Sequence, residues 1–175
     1  MPSGRVHDRI TYGALLPAIA LTWGTTHRWP ATVAVALGTL FGGLMFGPDL
    51  DVKSRQYYRW GFLRWLWWPY QRVVSHRSPW SHGVVLGLLA RLAYLSLALF
   101  VLGALALALV NTYWHPIRID RMPALAAPLG RTDRVVLGAG LAGVWLGGAL
   151  HTWADGLTSA FRRWVGSNRI GRRRG

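Results

Sequence analysis

Hydrophobic residues concentrate in four stretches of the chain, residues 10–23, 31–47, 84–110 and 135–150. A helix that crosses a bilayer needs about 20 mostly apolar residues, within a range of roughly 17–25. The third stretch is long enough if Arg91 extends from near its start toward the headgroups. The second and fourth are at the short end, and the first is short and contains Pro17. The pattern predicts an all-α integral membrane bundle of about four transmembrane helices, forming one domain over residues 1–175.

Charge and composition support this interpretation and orient the bundle. The chain is 52% apolar and 15% charged, with 20 Lys+Arg against 6 Asp+Glu, which is unlike a disordered chain or an ordinary soluble enzyme. Fourteen basic residues precede the first stretch, separate the second from the third, or follow the fourth, and five lie in the other two loops. The positive-inside rule therefore predicts a membrane protein with both termini cytoplasmic. A cleaved signal peptide is the alternative for the first stretch, with Arg5 and Arg9 before it and Ala18-Ile19-Ala20 as the cleavage site.

Aromatic residues and arginines alternate between Tyr57 and Tyr70. Such a segment favours the headgroup region, so we expect it to lie on the inner leaflet. Single-stranded nucleic acid is the alternative partner. Because the segment lies between two apolar stretches, membrane lipid is the favoured partner and we expect no nucleic acid. The basic tail, residues 162–175, is interpreted as a lipid anchor in the same way. Glycines four apart predict close helix packing at Gly38/Gly42, Gly43/Gly47, Gly83/Gly87 and Gly143/Gly147.

Eight of the twelve His and Asp residues fall in four short clusters, and the predicted topology puts every cluster at the cytoplasmic end. The clusters are His7-Asp8, Asp49-Leu50-Asp51, His76 with His82, and His151 with Asp155. Imidazole and carboxylate ligands together suit zinc first, and manganese or iron(II) as alternatives. The chain has no cysteine, which excludes thiolate ligands and disulfides.

The spacing within each cluster predicts how its members reach a common site. His151 and Asp155 are four apart and share one face of a helix. An extended turn after Pro48 would point both aspartates to one side, and Ser78-Pro79 would let His76 come from a loop and His82 from a helix start.

The alternative is an ion-paired cap on the bundle, in which nearby arginines neutralise the aspartates. Two further histidines, His27 and His115, are interpreted as interfacial residues, and Asp120 and Asp133 as surface ion pairs.

Several of these motifs resemble a family of uncharacterised bacterial proteins described as metal-binding membrane proteins. They are the opening Met1–Asp8, the run Phe41–Asp51, Ser54-Arg55-Gln56-Tyr57, and His76-Arg77-Ser78 with Ser81-His82-Gly83. More remotely, the Pro-Asp-x-Asp, His-Arg-x-x-x-x-His and His-x-x-x-Asp pattern is similar to inner-membrane metal-dependent hydrolases. The resemblance implies a bacterial inner-membrane protein with metal ligands at His7, Asp49, Asp51, His76, His82, His151 and Asp155.

These residues lead to the hypothesis of a metal-dependent hydrolase with one or two ions at the cytoplasmic face. Phosphoester or lipid-phosphate substrates would fit, with Asp8 or Asp51 accepting a proton and Arg55, Arg59 and Arg77 binding an anionic group. A non-catalytic, metal-stabilised scaffold or sensor is the alternative. Metal transport is disfavoured because the candidate ligands cluster at one end of the bundle instead of near the bilayer midplane.

Overall fold

The computed structural model describes residues 3–113 and 133–171, with side chains up to residue 165 in the second range. Every regular element within these residues is helical, which confirms the all-α class. The elements are α1 (Gly4–Thr26), α2 (Trp29–Leu44), a 3₁₀ helix (Pro48–Asp51), α3 (Arg55–Arg59), a second 3₁₀ helix (Gly61–Trp67), α4 (Trp68–Val73), α5 (Pro79–His82), α6 (Leu86–Tyr113) and α7 (Arg134–Gly171). Predictions for His115, Asp120 and the arginines at 118–131 and 172–174 lie outside the described residues.

Within the described residues, three segments are long and apolar enough to cross a membrane: Trp29–Asp51, Leu86–Tyr113 and Arg134–Val165. They overlap the second, third and fourth hydrophobic stretches of the sequence. The first stretch lies in α1, which continues through Pro17 for 23 residues but is not among these three segments. A fourth span at α1 and a single membrane domain over the whole chain stay predictions.

Glycines bring α2 and α7 into backbone contact. A Cβ atom on Gly38, Gly42, Gly143 or Gly147 would collide with the main chain of the opposite helix. The predicted packing role of these two pairs is therefore confirmed, because small residues let two helix backbones approach closely.

The other two glycine pairs make different contacts. Gly43 faces α1, and Gly47 faces the side-chain amide of Gln56. Gly83 and Gly87 face the backbone of the short helix α5 and not that of another long helix. They instead allow a tight connection between α5 and α6.

An aromatic core joins the short helices to the bundle. It contains Phe46, Leu50, Tyr57, Leu66, Trp67 and Tyr70. Trp67 is fully buried, whereas Phe62, Trp65 and Trp68 of the same segment are exposed. Some rings of the predicted interfacial segment thus hold it against the protein, and the exposed ones remain available to an interface.

The prediction that Arg91 reaches toward the headgroups is wrong. Its side chain is buried inside the protein, and Nη1 donates a hydrogen bond to the carbonyl oxygen of Ser81 at 2.7 Å. The guanidinium also lies 5.9 Å from the ring centroid of Phe46. A buried cation requires such partners, and this one anchors the end of the segment that carries His82.

Asp133 and His27 lie away from the predicted metal ligands. Asp133 accepts a hydrogen bond from Nη1 of Arg28 at 3.1 Å, which confirms the expected surface ion pair. His27 ends α1 in a left-handed conformation with φ 49° and contacts the ring of Trp23.

Candidate metal centre

The seven side chains predicted to bind metal lie together at one end of the bundle. They come from the start of α1, the 3₁₀ helix after α2, the segment around α5, and the middle of α7. The seven are His7, Asp49, Asp51, His76, His82, His151 and Asp155. Ring nitrogens and carboxylate oxygens among them approach to between 3.0 and 3.9 Å. Their role as ligands stays a prediction, but the sequence correctly predicted that they meet.

A buried group is formed by His7, His151 and Asp155. The two imidazole rings stack with centroids 3.7 Å apart. His7 Nε2 lies 3.3 Å from Asp155 Oδ1, and His151 Nε2 lies 3.7 Å from Asp155 Oδ2. The side chains of His7, Asp155 and His151 are only 6%, 11% and 3% exposed. This group could hold a metal ion shielded from solvent.

An open group is formed by Asp49, His76 and His82, whose candidate ligand atoms lie within 4.8 Å of one another. His82 Nε2 is 3.4 Å from Asp49 Oδ1. The His76 ring meets the His82 ring edge-on at 4.9 Å, and the His76 side chain is 35% exposed. A metal ion held here would have access to solvent on the His76 side.

Asp49 connects the two groups. Its Oδ1 faces His82 of the open group at 3.4 Å, and its Oδ2 faces His151 of the buried group at 3.2 Å. A carboxylate whose two oxygens point to different imidazoles has the geometry to bridge two cations. Asp155 provides a weaker second link, with Oδ2 3.9 Å from His82 Nε2.

Asp51 lies behind the open group. Its fully buried carboxylate lies 3.0 and 3.1 Å from Nδ1 of His76 and 3.8 Å from Nδ1 of His82. In metal sites, a carboxylate at one ring nitrogen commonly orients the imidazole and makes its other nitrogen a stronger ligand. The geometry therefore favours Asp51 as a positioning residue for the two histidines.

The local structures agree with two of the three spacing predictions. His151 and Asp155 share one face of α7, and Ser78 caps α5 by accepting a hydrogen bond from the backbone N–H of Ser81. The extended turn predicted for Pro48–Asp51 is wrong, because the segment is a 3₁₀ helix. In this 3₁₀ helix the two aspartates face different nitrogens of His82, with Asp49 near Nε2 and Asp51 near Nδ1.

Buried polar atoms within the centre lack hydrogen-bond partners among the described residues. They are Nδ1 of His7, Nε2 of His82, Nε2 of His151 and Oδ1 of Asp155. The atoms of His82, His151 and Asp155 lie within ion-pair distance of an oppositely charged group without making a hydrogen bond to it. Leaving such atoms unsatisfied costs about 1–3 kcal/mol each, so the donor set fits a divalent cation that would satisfy them.

Burial, and next the neighbouring ring of His151, lower the pKa of His7 below its ordinary value. The neutral form of imidazole is the one that binds metal. The environment of His7 thus favours its ligand form.

Asp8 and two arginines form a separate ion-pair network beside the centre. Asp8 accepts hydrogen bonds from Arg59 at 2.7 and 2.8 Å and from Arg55 at 2.8 Å. The hydrogen bonds from Arg59 lower the pKa of Asp8, which works against the predicted role of this carboxylate as a proton acceptor. Arg55 and Arg59 each use part of their donors on Asp8, so their predicted role in binding a substrate anion stays a prediction.

Arg77 is the predicted anion-binding residue that is not paired with Asp8. Its side chain is exposed, its backbone adopts a left-handed conformation with φ 62°, and it directly follows His76. Within the described residues it has no carboxylate partner. Arg77 is therefore an exposed cation directly next in the chain to a residue of the open group.

Sequence reasoning assigned no role to Gln56, whose buried amide connects α2, the 3₁₀ helix and α7. Nε2 donates to the carbonyl of Gly43 at 2.8 Å and lies 3.4 Å from Nδ1 of His151, while Oε1 accepts from the backbone N–H of Asp49 at 3.2 Å. The long contact positions the ring of His151 without fixing which nitrogen carries the proton. Its presence in the Ser54-Arg55-Gln56-Tyr57 motif was the available signal.

Ser81 was missed in the same way. Its buried hydroxyl lies 3.0 Å from Nδ1 of His82 and hydrogen-bonds to the carbonyl oxygen of Ser75 at 3.2 Å. It thus orients His82 together with Asp51. Its presence in the Ser81-His82-Gly83 motif was the available signal.

The described residues form helices that bring together two adjacent groups of His and Asp side chains, each of which could hold a divalent metal ion. The chain belongs to the family described as "Uncharacterized metal-binding protein (DUF2227)", whose model matches residues 2–165. The resemblance to an uncharacterised metal-binding family is confirmed, and the description states neither a membrane location nor a reaction.

A curated protein is similar to part of the chain and adds no activity. It is an uncharacterized protein of Aquifex aeolicus (strain VF5), 39% identical over 70 residues. The match covers 39% of this chain and 46% of the relative, so the chain spans less than half of that protein's length. No solved structure matches.

Proposed function

We propose that the protein is a metal-dependent hydrolase embedded in the bacterial plasma membrane and acting at its cytoplasmic face. The observation that carries this proposal is the pairing of a buried and an open His/Asp group through Asp49. Zinc is the first candidate metal, with manganese and iron(II) as alternatives.

The membrane location is supported by the surface of the long helices. Large apolar side chains such as Leu16, Leu37, Phe100 and Leu157 are more than half exposed, and extensive exposed apolar surface marks contact with lipid or another protein. The excess of basic residues in the segments next to the metal centre supports cytoplasmic termini.

The two groups would hold one ion each. His7, His151 and Asp155 would hold the buried ion, His76 and His82 the open one, and Asp49 would contact both. Asp51 would hold the open histidines through their Nδ1 atoms. Two cations bridged in this way are a common arrangement in enzymes that cleave phosphoesters.

Bound divalent cations would supply Lewis acidity, by which water becomes acidic enough to act as a nucleophile near neutral pH. The chain itself would orient the substrate. The exposed edge of His76 leaves an approach on that side, and Arg77 would attract the negative charge of a phosphoester there. Buried Asp51 would hold the rings of His76 and His82 in place while the substrate binds. Asp51 also remains a candidate proton acceptor. A phosphoester substrate is proposed because the bound cations and the charge of Arg77 both attract an anion.

The proposal is tested by elemental analysis of detergent-purified protein, comparing wild type with His151→Ala, His76→Ala and the control His27→Ala. We expect wild type and His27→Ala to hold two ions per chain, and each of the other variants to lose one. Chelated wild type should regain phosphoester hydrolysis when the metal is returned. Metal-free wild type, or equal metal content in all four proteins, would contradict the site.

A non-catalytic, metal-stabilised scaffold is a second candidate, and one observation favours it. The cavity beside His7, Asp49, Gln56 and His151 measures about 20 Å³, which holds roughly one water molecule. A substrate would not fit in this cavity, so an ion held by the buried group would have a structural role. Metal-loaded protein that melts at a higher temperature than the chelated form, yet hydrolyses none of a panel of phosphoesters, would favour the scaffold.

A further inference from the structure

An apolar groove lies along α6 beside the open group. Its first part, about 440 Å³, is lined by residues that include Tyr70, Val74, Trp80, Ala90 and Tyr94. A second part of about 270 Å³ continues past Tyr94 along α6 as far as Val101 and Leu102. Both parts also share Pro69, so they form one surface, called here the α6 groove.

The α6 groove and the open group share a wall. Val74 and Trp80 line the groove, and each is two residues before a histidine of the open group, His76 and His82 respectively. The hydroxyl of buried Tyr70 donates to the carbonyl oxygen of Trp80 at 3.4 Å, which ties the two sides of this wall together. A molecule in the groove would therefore have one end next to the metal centre.

The direction and length of the groove match one leaflet of a membrane. The helix α6 begins near the metal centre, and the groove follows it from Ala90 to Val101. Eleven residues of helix rise about 17 Å, and half of the hydrocarbon core of a bilayer is about 15 Å thick. A lipid with its headgroup at the centre would lay its chain along this surface.

Two arginines are adjacent in the chain to residues of the open group and the groove, and their charge favours an anionic headgroup. Arg77 directly follows His76, and Arg72, whose guanidinium lies 3.6 Å from the ring centroid of Trp68, precedes groove residue Val73. The groove itself is lined by apolar and aromatic side chains. The combination is complementary to an anionic headgroup on a hydrocarbon chain.

We propose that the α6 groove receives the hydrocarbon chain of a lipid phosphomonoester and presents its phosphate to the open group. This rests on the proposed hydrolase function. In the reaction the oxygen of water bonds to phosphorus, the bond from phosphorus to the ester oxygen breaks, and that oxygen takes a proton. The products are a lipid alcohol and inorganic phosphate.

Photolabelling tests the groove without relying on activity. The probe is a phosphatidate with a diazirine in its acyl chain, in phosphatidylcholine nanodiscs holding the full chain, and labelled residues are mapped by mass spectrometry. We expect labels to concentrate on Tyr70, Trp80 and Tyr94. Ala90→Phe, which fills the groove, should reduce them about tenfold, whereas Ala93→Phe, on an exposed position of the same helix, should not.

A phosphatidylcholine probe with the same chain provides the headgroup control and should label the groove weakly. Equal labelling by both probes, labels spread evenly over exposed apolar side chains, or crosslinks to a second copy of the chain would each overturn the proposal. Metal content shows that both variants fold. Concentrated labelling without metal-dependent release of phosphate would instead overturn the hydrolase function and leave a lipid-binding groove.

Discussion

The buried group and the open group contain the same residue types but sit in different surroundings. His7, His151 and Asp155 project from two long helices and are shielded from solvent. His76 and His82 come from a loop and a four-residue helix, and His76 is partly exposed. Sites on packed helices are held rigidly, whereas loops more often carry residues that meet substrates. Under the proposed function, the first group would hold a supporting ion and the second would meet the substrate.

Their supporting residues differ as well. Behind the open group lies a carboxylate, Asp51, and behind His151 lies a neutral amide, Gln56. A carboxylate partner increases the basicity of an imidazole more than an amide does. Loss of Asp51 should therefore affect the open group alone, while loss of the connecting residue Asp49 should affect both.

The largest effect is expected for Asp49→Ala, which removes both oxygens that link the groups. Metal content should fall at both sites, and metal-dependent hydrolysis should fall by more than about 100-fold. In manganese-loaded wild type, electron paramagnetic resonance should detect spin coupling between the two ions, and the variant should lose it. Because the backbone of Asp49 is held by Gln56 and Ser54, the fold should survive. Asp49→Asn, which keeps the shape, should retain part of the metal, and unchanged coupling in Asp49→Ala would refute the bridge.

Next in size is Asp51→Asn, which keeps the shape and removes the charge. Affinity for the open ion should fall by about 10–100-fold, while the buried ion is retained. Titration of chelated protein with zinc would resolve the two affinities. If the affinities for both ions fall equally, or if metal-dependent activity is unchanged, Asp51 does not act on the histidines of the open group.

Gly147→Ala tests whether the buried group depends on helix packing. The added Cβ would collide with the backbone of Gly43 on α2, and forcing the helices apart should destabilise the protein by about 1–3 kcal/mol. Because His151 lies one turn further along α7, affinity for the buried ion should fall more than that for the open ion. Gly138→Ala on the same helix meets open space and is the matched control. Thermal melts with and without metal would measure both effects.

The sequence predicted the helical class and the assembly of the seven His and Asp residues. The apolar stretches predicted the helices, and the distribution of basic residues placed all four His/Asp clusters at the same end of the bundle. It did not predict how those residues divide into two groups. That division depends on contacts such as Asp49 with both His82 and His151, which side-chain directions in the 3₁₀ helix decide. Burial of Arg91 and the pairing of Asp8 with Arg55, 47 residues away, also depend on tertiary packing that local spacing does not contain.

The smallest effect is expected for Asp8→Asn. Asp8 lies next to His7 in sequence, yet its carboxylate is paired with Arg55 and Arg59 and its pKa is lowered, chiefly by the hydrogen bonds from Arg59. The variant should keep both ions and lose no more than about threefold in hydrolysis, with a stability cost of about 0.2–1 kcal/mol at neutral pH. Since the pKa is lower in the folded state, this stabilisation is present above the ordinary range of aspartate and is lost as the pH falls through the lowered pKa. Melting curves of both proteins from neutral to acidic pH should therefore converge. A loss of hydrolysis of 100-fold or more with normal metal content would instead identify Asp8 as the proton acceptor.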